Sequence, residues 1–185
     1  MDALKPGHYW KTPFIWEPGC PEPPGTGSLR YEPAERAWLE EAITATMGQS
    51  LDESDRFTVA KIGLNEAMRE VFEVSSRYFE EKVGWLRVAV DKNGQRVGFV
   101  MTTVFAEPSR WKNDRPQGTI LYMGVLPIFR GHGFALDLVL EATRQCIGAN
   151  CWRIFCDTGS SNHPMIGAFR KAGYQERTPW QRPLA

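Results

Sequence analysis

The stretch GTILYMGVLPIFRGHGFALDLVLEATRQCIG, residues 118–148, decides the fold of this chain. Residues 119–126 form an apolar run, which predicts a buried strand, and a short turn opens at Pro127. The pattern then changes to helical spacing, because the polar residues fall on one stripe and apolar residues fill the rest. These polar residues are Asp137, Glu141, Arg144 and Gln145. The sequence therefore predicts a strand followed by a mostly buried helix that covers a sheet.

The beginning of this helix lacks the residues that usually cap one. The first turn of a helix leaves backbone N–H groups without partners, and Ser, Thr, Asp, Asn or an acidic residue usually satisfies them. The sequence instead has Arg130, Gly131, His132 and Gly133 here. Glycine lets the backbone approach a ligand closely, and positive charge at this end suits a bound anion. We therefore interpret residues 130–135 as a phosphate-binding turn.

Two common nucleotide-binding motifs fit this turn less well. A P-loop requires Gly-Lys followed by Ser or Thr, which this turn lacks. A dinucleotide-binding fold is the closer alternative, because Gly131-x-Gly133 follows a strand and Asp157 lies at about the 20-residue offset of a ribose-binding acid. Against it, Leu136 occupies the third glycine position, and residues 127–130 lengthen a turn that should be tight.

Two motifs resemble those of the GNAT N-acetyltransferase superfamily. Val125-x-Pro127-x-x-Arg130-Gly131-x-Gly133-x-Ala135 is similar to its acyl-CoA-binding motif, which has Arg or Gln, two residues, Gly, one residue, and Gly or Ala. The segment NHPMIGAFRKAGY, residues 162–174, is similar to the family's second element, and a predicted strand at residues 152–158 separates the two. The resemblance extends from about Ser28 to the C-terminus.

The resemblance implies a single α/β domain, residues 28–185, with a mixed, mostly antiparallel sheet flanked by helices. It also implies that the domain binds acetyl-CoA or another short acyl-CoA. The turn would hold the diphosphate, with His132 facing it, and the strand would hold the pantetheine arm, with the Val125 amide donating to the thioester carbonyl. The implied cofactor-binding residues are Met123, Val125, Arg130, Gly131, His132, Gly133, Phe134, Ala135, Asn162 and Phe169.

The catalytic groups are less clear from the sequence. Many family members have Tyr where this chain has Phe169, and Phe has no hydroxyl to protonate the leaving thiolate. Some members carry a carboxylate on the central strand, but residues 118–126 contain neither Asp nor Glu. We therefore expect Glu107, or Tyr122 through ordered water, to take the proton from the amine.

The N-terminal 27 residues differ in composition from the rest. They combine prolines, which argue against a long regular element, with an aromatic content unlike that of a disordered tail. We expect residues 1–27 to form a strap whose aromatic side chains pack on the domain surface. A lid over the acceptor groove and a dimer arm are the alternatives.

Local signals predict the remaining elements. We expect a short strand at residues 27–31, a helix from Pro33 to about Met47, and a helical segment at residues 57–81 interrupted at Gly63. The acidic loop before that segment contains Asp52, Glu53 and Asp55, which could attract a cationic amine. Residues 85–91 and 95–106 predict a hairpin, because Asn-Gly lies between them. A polar loop at residues 107–117, a helix at residues 164–172 and a last edge strand within residues 174–183 complete the prediction.

Composition sets the wider limits. The formal net charge is zero and 42% of the 185 residues are hydrophobic, which predicts a soluble, cytoplasmic protein without a nucleic-acid or membrane partner. The four cysteines and three histidines show no metal-ligand spacing, and we expect no metal and no structural disulfide. We predict an N-acetyltransferase acting on a small-molecule or peptide amine, and the aromatic N-terminal strap makes a homodimer a candidate assembly. The alternative is a non-catalytic CoA-binding or sensing module of the same fold.

Overall fold

The computed structural model describes residues 3–21, 23, 27–82 and 84–183. Within these ranges the chain forms nine strands and five α-helices. In chain order they are β1 His8–Trp16, β2 Arg30–Pro33, α1 Arg36–Met47, α2 Glu53–Ile62, α3 Leu64–Tyr78, β3 Phe79–Glu80, β4 Leu86–Val90, β5 Arg96–Phe105, β6 Gln117–Val125, α4 Phe134–Gly148, β7 Arg153–Gly159, α5 His163–Lys171, β8 Gln175–Glu176 and β9 Trp180–Pro183.

The strands build one mixed sheet. Its order is β2-β4-β5-β6-β7-β1-β8, with β3 paired to β5 and β9 paired to β1. Of the strand pairs in the described residues, β6 and β7 alone are parallel, and α4 forms the crossover between them. The predicted fold class, a mixed and mostly antiparallel sheet flanked by helices, is therefore confirmed.

Helices cover both faces of this sheet, and β5 is buried along almost its whole length. On one face Leu138 and Ala142 of α4 pack against Val100 of β5. On the other face Leu39 of α1 packs in a cluster with Met101 of β5. The predicted burial of α4 is thus confirmed, and β6 lies beside β5 between the two helix layers.

The expectation that prolines keep the N-terminal segment irregular is wrong. Residues His8–Trp16 form a nine-residue strand that pairs with β7, and Phe14 and Trp16 are buried. Pro13 is tolerated because its backbone faces the gap between β8 and β9, where its carbonyl accepts from Arg177 N (2.9 Å) and no N–H is required. β1 therefore belongs to the same sheet as the rest of the domain.

Smaller differences concern element boundaries. Pro33 ends the edge strand β2 instead of beginning α1, which starts at Arg36. The acidic segment before Phe57 is not a loop throughout, because α2 already begins at Glu53, capped by Asp52. The helix break at Gly63 and the hairpin of β4 and β5 are confirmed. Among the described residues, no helix has the length and apolar character needed to cross a bilayer.

Candidate active site

A cleft of about 1560 Å³ opens where β6 and β7 separate. These two strands pair only at their beginnings, Gln117 with Arg153 and Gly118 with Ile154. Farther along, residues of both strands line the cleft, together with residues of α2, α5 and the turn before α4. The second half of β6 therefore has an unpaired edge that an extended ligand can reach.

The backbone of β6 presents two amides to this opening. Leu126 N donates to Val97 O on β5 (2.9 Å), and in an antiparallel pair the N–H groups of alternate residues point to the same neighbour. The N–H groups of Met123 and Val125 therefore point away from β5, toward the gap beside β7. Both residues were predicted to bind the pantetheine arm, and the structure places both at the cleft.

A β-bulge precedes these amides. Tyr122 pairs with Met101 whereas Ile120 pairs with Thr102, so Leu121 is an extra residue in β6. A bulge bends its strand and increases the local twist, which is why bulges are frequent beside active sites. Here it lies where β6 leaves β7.

The turn before α4 is uncapped, as the sequence indicated. Among the described residues, no hydrogen bond engages the amides of residues 131–135, and the first bonded amide is that of Leu136, to Gly133 O (3.1 Å). Gly131 and Gly133 have φ values of 84° and 82°, a region that side chains rarely adopt. A Cβ at either position would meet no heavy atom within 4 Å, so open space lies beside these amides. Their free N–H groups and the N-terminal dipole of α4 suit a bound phosphate.

The Arg130 and His132 side chains of this turn contact backbone carbonyl groups of the protein. The Arg130 guanidinium donates to Gln49 O (2.7 Å) and Thr46 O (3.4 Å) at the C-terminal end of α1. His132 is exposed, and its Nδ1 contacts the carbonyl oxygens of Phe129 and Arg130 (both 3.1 Å). The side chain of Arg130 thus anchors the turn to α1, and His132 does not line the cleft as predicted for a phosphate-facing group. The remaining predicted residues of the turn, Gly131, Gly133, Phe134 and Ala135, all line it.

Asn162 and Phe169 also line the cleft. Asn162 precedes α5, and its Nδ2 donates to Thr158 Oγ1 (3.0 Å) at the end of β7. Phe169 is buried and stacks on Phe14 of β1, with ring centroids 4.8 Å apart. The nearby Tyr174 does not supply the missing hydroxyl, because its OH lies 2.8 Å from Thr143 Oγ1 in the core.

The end of the cleft near α2 is acidic. Lys11 of β1, whose side chain is only 7% exposed, lies 3.0 Å from Asp157 and 3.7 Å from Asp52. Burial opposes ionisation of Asp52, but Lys11 and the donors Gly159 N, Thr158 Oγ1 and Ser54 N lower its pKa below the ordinary value. Burial likewise opposes the charge on Lys11, but the two carboxylates outweigh burial and raise its pKa. Asp157, the candidate ribose-binding acid of the dinucleotide-binding alternative, is therefore held in an ion pair with Lys11.

A third carboxylate in this region, that of Asp55, forms no ion pair with any cation among the described residues. Asp55 Oδ2 accepts from Ser50 Oγ (2.5 Å) and from Tyr122 OH (2.8 Å). Burial is the largest effect on Asp55 and raises its pKa, whereas the two hydroxyl donors act in the opposite direction. Burial and the charge of Asp55 raise the pKa of Tyr122 well above its ordinary value. The pair thus joins α2 to the middle of β6.

The other predicted catalytic residue, Glu107, lines the same cleft but is exposed, 3.9 Å from Arg110. Sequence reasoning missed Lys11 and assigned Asp157 only to the dinucleotide-binding alternative. The available signal was the run YWKTPFIW, residues 9–16, whose aromatic and β-branched residues favour a strand. Within the described residues, no group of His, Cys, Asp and Glu side chains is arranged to hold a metal ion, and the four cysteines are free.

Comparison with known proteins agrees with this geometry. Residues 55–174 match the model of the acetyltransferase (GNAT) family, which generally uses acetyl-CoA. The chain is 29% identical over 140 residues to a mycothiol acetyltransferase of Saccharomonospora viridis, covering 74% of this chain and 42% of that protein. It is 30% identical over 90 residues to an acetyltransferase of Pectobacterium atrosepticum, covering 49% of this chain and 57% of that protein. The chain thus spans about half the length of these relatives.

Solved structures share the fold at low sequence identity. A GNAT acetyltransferase from Colwellia psychrerythraea has a TM-score of 0.59 at 15% identity, covering 94% of this chain and 54% of that one. A putative phosphinothricin N-acetyltransferase has a TM-score of 0.57 at 17% identity, covering 85% of this chain and 99% of that one. The family match covers well over half of the chain and contains the bulged strand, the uncapped turn and the helix after it. The chain belongs to the GNAT family of acetyltransferases.

Proposed function

We propose that this protein transfers the acetyl group of acetyl-CoA to a primary amine by direct attack of the amine nitrogen on the thioester carbonyl. The observation that carries the proposal is the cleft itself. Unpartnered amides of residues 131–135 and of β6 line one part of it, and partly buried carboxylates line another. One cleft therefore offers complementary surfaces to an acyl-CoA and to a cationic acceptor.

The amides supply the cofactor site. The N–H groups of residues 131–135 would hold the diphosphate at the N-terminus of α4. The N–H groups of Met123 and Val125 would pair with the pantetheine arm along the open edge of β6, and that of Val125 would donate to the thioester oxygen. Asn162 would bond to the same arm from the other side of the cleft.

The acidic end supports an amine acceptor. Asp52 and Asp157 share the one ammonium group of Lys11 and Asp55 contacts only hydroxyl groups, so negative charge exceeds positive charge among these four residues. A protonated amine is attracted to such a site. Three exposed apolar side chains, Leu51, Val74 and Tyr78, line the same cleft and would contact an apolar substituent of the acceptor.

The leaving thiolate needs no tyrosine in this mechanism. Phe169 replaces the residue that serves as an acid in many family members, and Tyr174 is bonded within the core. A thiol with a pKa of about 8.5 leaves as the thiolate, and water then protonates it. Phe169 keeps a packing role beside the cofactor.

The test is thiol release from acetyl-CoA that depends on an added amine. The panel contains 2-phenylethylamine, tyramine, n-butylamine, spermidine, glucosamine and glycine, with mass spectrometry of the products to identify an N-acetyl group. We expect at least one amine to increase thiol release well above hydrolysis and to appear as its amide. Binding of acetyl-CoA with no amine-dependent release across the panel would contradict the proposal and favour a CoA sensor.

A further inference from the structure

Resting on the proposed N-acetyl transfer, we infer that Asp55 is the catalytic residue that takes the proton from the acceptor's ammonium group, with Tyr122 and Ser50 holding its carboxylate in place. This residue differs from the two that the sequence suggested. Glu107 is exposed at the end of β5, and Tyr122 is a hydrogen-bond donor to Asp55.

The hydrogen bonds of Asp55 fix one oxygen and leave the other for substrate. Ser50 Oγ and Tyr122 OH both donate to Oδ2, at 2.5 and 2.8 Å. Within the described part of the chain no hydrogen bond or ion pair engages Oδ1, and Asp55 lines the cleft. A carboxylate held by two donors on one side is oriented to accept from a third group on the other.

Tyr122 connects this carboxylate to the cofactor edge. It belongs to β6, immediately after the bulge residue Leu121 and next to Met123, whose amide faces the gap beside β7. The acid is therefore tied to the strand along which the thioester would lie. Glu107, at the far end of β5, has no comparable link.

The neighbouring charges separate the roles of the carboxylates. Lys11 of β1 contacts Asp52 of α2 and Asp157 of β7, whereas the partners of Asp55 are hydroxyl groups. Burial is the largest effect raising the pKa of Asp55; the charge of Asp52 adds to it, and Lys11 opposes it. The charge of Arg130 lowers the pKa of Tyr122, whereas burial raises it. Carboxylates whose pKa values are pushed apart in this way commonly divide structural and acid–base roles.

The proton and electron balance of the step is complete. The ammonium group gives one proton to the Asp55 carboxylate, and the neutral nitrogen forms a bond to the thioester carbon. The carbon–sulfur bond then breaks and its electron pair leaves with the thiolate of CoA. The second nitrogen proton is lost to this thiolate or to water, and Asp55 returns its proton to solvent.

The test compares the pH dependence of kcat/KM in three variants, using the fastest amine of the panel above. We expect the native protein to show an acid limb that reports Asp55. In Asp55→Asn, kcat/KM should fall by roughly 100- to 10,000-fold, and the remaining rate should follow the fraction of neutral amine in solution. Tyr122→Phe should keep most activity and move the acid limb to higher pH, because the lost hydrogen bond stabilised the carboxylate. Glu70→Gln, an exposed change outside the cleft, is the matched control and should leave the profile unchanged.

A second acceptor separates proton removal from a structural role. The β,β-difluorinated analogue of the same amine is a much weaker base, so at a pH above its own pKa it is largely neutral and does not need Asp55 to remove the first proton. With this analogue the loss of kcat/KM in Asp55→Asn should shrink to less than about 10-fold. The affinity of Asp55→Asn for acetyl-CoA should equal that of the native protein in the presence of either amine. Two results with Asp55→Asn would overturn the inference: an equal defect with both amines, or an unchanged acid limb. Loss of the acid limb in Glu107→Gln or in Tyr122→Phe, but not in Asp55→Asn, would also overturn it. Absence of any amine-dependent activity in the native protein would instead overturn the proposed function.

Discussion

Replacing Lys11 with Met tests whether the N-terminal strand neutralises the acidic end of the cleft. Lys11 is the cation closest to both Asp52 and Asp157, at 3.7 and 3.0 Å, and its side chain is 7% exposed. The Met side chain keeps most of the apolar stem of Lys but removes the charge. The variant therefore leaves two partly buried carboxylates facing each other without a counter-ion.

The structure limits the size of the effect. Removing one partner of a buried ion pair costs about 3–5 kcal/mol. Asp52 keeps three hydrogen-bond donors, and the side chain of Asp157 is 22% exposed to water. We therefore expect a loss near the lower end, about 3 kcal/mol in the free energy of unfolding. At 2–4 °C per kcal/mol this corresponds to a melting temperature lower by roughly 6–12 °C.

Urea unfolding at several pH values measures this loss. The lowered pKa of Asp52 in the folded protein contributes stability above its ordinary value of 3.8, and this contribution is lost as the pH falls through the folded pKa. The deficit of Lys11→Met should therefore be complete at neutral pH and shrink as the pH falls below 3.8. Lys11→Met/Asp157→Asn should recover part of the stability, because only one uncompensated carboxylate remains. A loss no larger than that of the exposed control Lys92→Met would refute this reasoning.

Three further substitutions test other parts of the account. The pKa of Asp55 is raised in the folded protein, so the native protein loses stability as the pH rises from 3.8 through the folded pKa. Asp55→Asn should therefore be more stable than the native protein at pH 7 and equally stable below pH 3.8. Thermal unfolding at both pH values measures the difference, and equal melting temperatures at pH 7 would contradict the prediction. Gly118→Ala places a Cβ 2.5 Å from Cys146 Sγ and should cost about 1–3 kcal/mol in urea unfolding, whereas Gly148→Ala, with no atom within 4 Å, should not destabilise. Gly133→Ala forces a residue with a Cβ into the left-handed backbone conformation, which should lower the free energy of unfolding by about 1–2 kcal/mol. The same variant should bind acetyl-CoA more weakly in calorimetry, and native affinity would argue against the turn as the diphosphate site.

The sequence predicted those elements whose signals are local. The strand β6, the uncapped turn and α4 follow one another within about 30 residues, and each carries its own pattern of apolar residues or glycines. The hairpin of β4 and β5 is set by Asn93-Gly94, where Gly94 adopts a φ of 80°. These parts of the fold, including the candidate cofactor site, could therefore be derived without coordinates.

The rest depends on contacts between residues distant in sequence. Lys11 of β1 pairs in register with Gly159 of β7, and no pattern within residues 1–27 indicates that partner. The hydrogen bond from Tyr122 to Asp55 joins residues 67 positions apart. Arg130 is a residue type that commonly binds phosphate, and only the structure shows that its guanidinium instead donates to carbonyl oxygens at the end of α1. The sequence thus indicated Asp52 and Asp55 as acids that could attract an amine, but it did not indicate their partners Lys11 and Tyr122.

Binding of the diphosphate by the turn before α4 is the central claim, and comparing two acetyl donors tests it most directly. Calorimetry measures the affinity of the native protein for acetyl-CoA and for S-acetylpantetheine, which carries the thioester and the arm but no diphosphate or nucleotide. Hydrogen bonds to charged groups contribute about 1.5–3 kcal/mol each, so the loss of two or more predicts an affinity at least about 100-fold lower for S-acetylpantetheine. Equal affinities, or no binding of acetyl-CoA at all, would contradict the account.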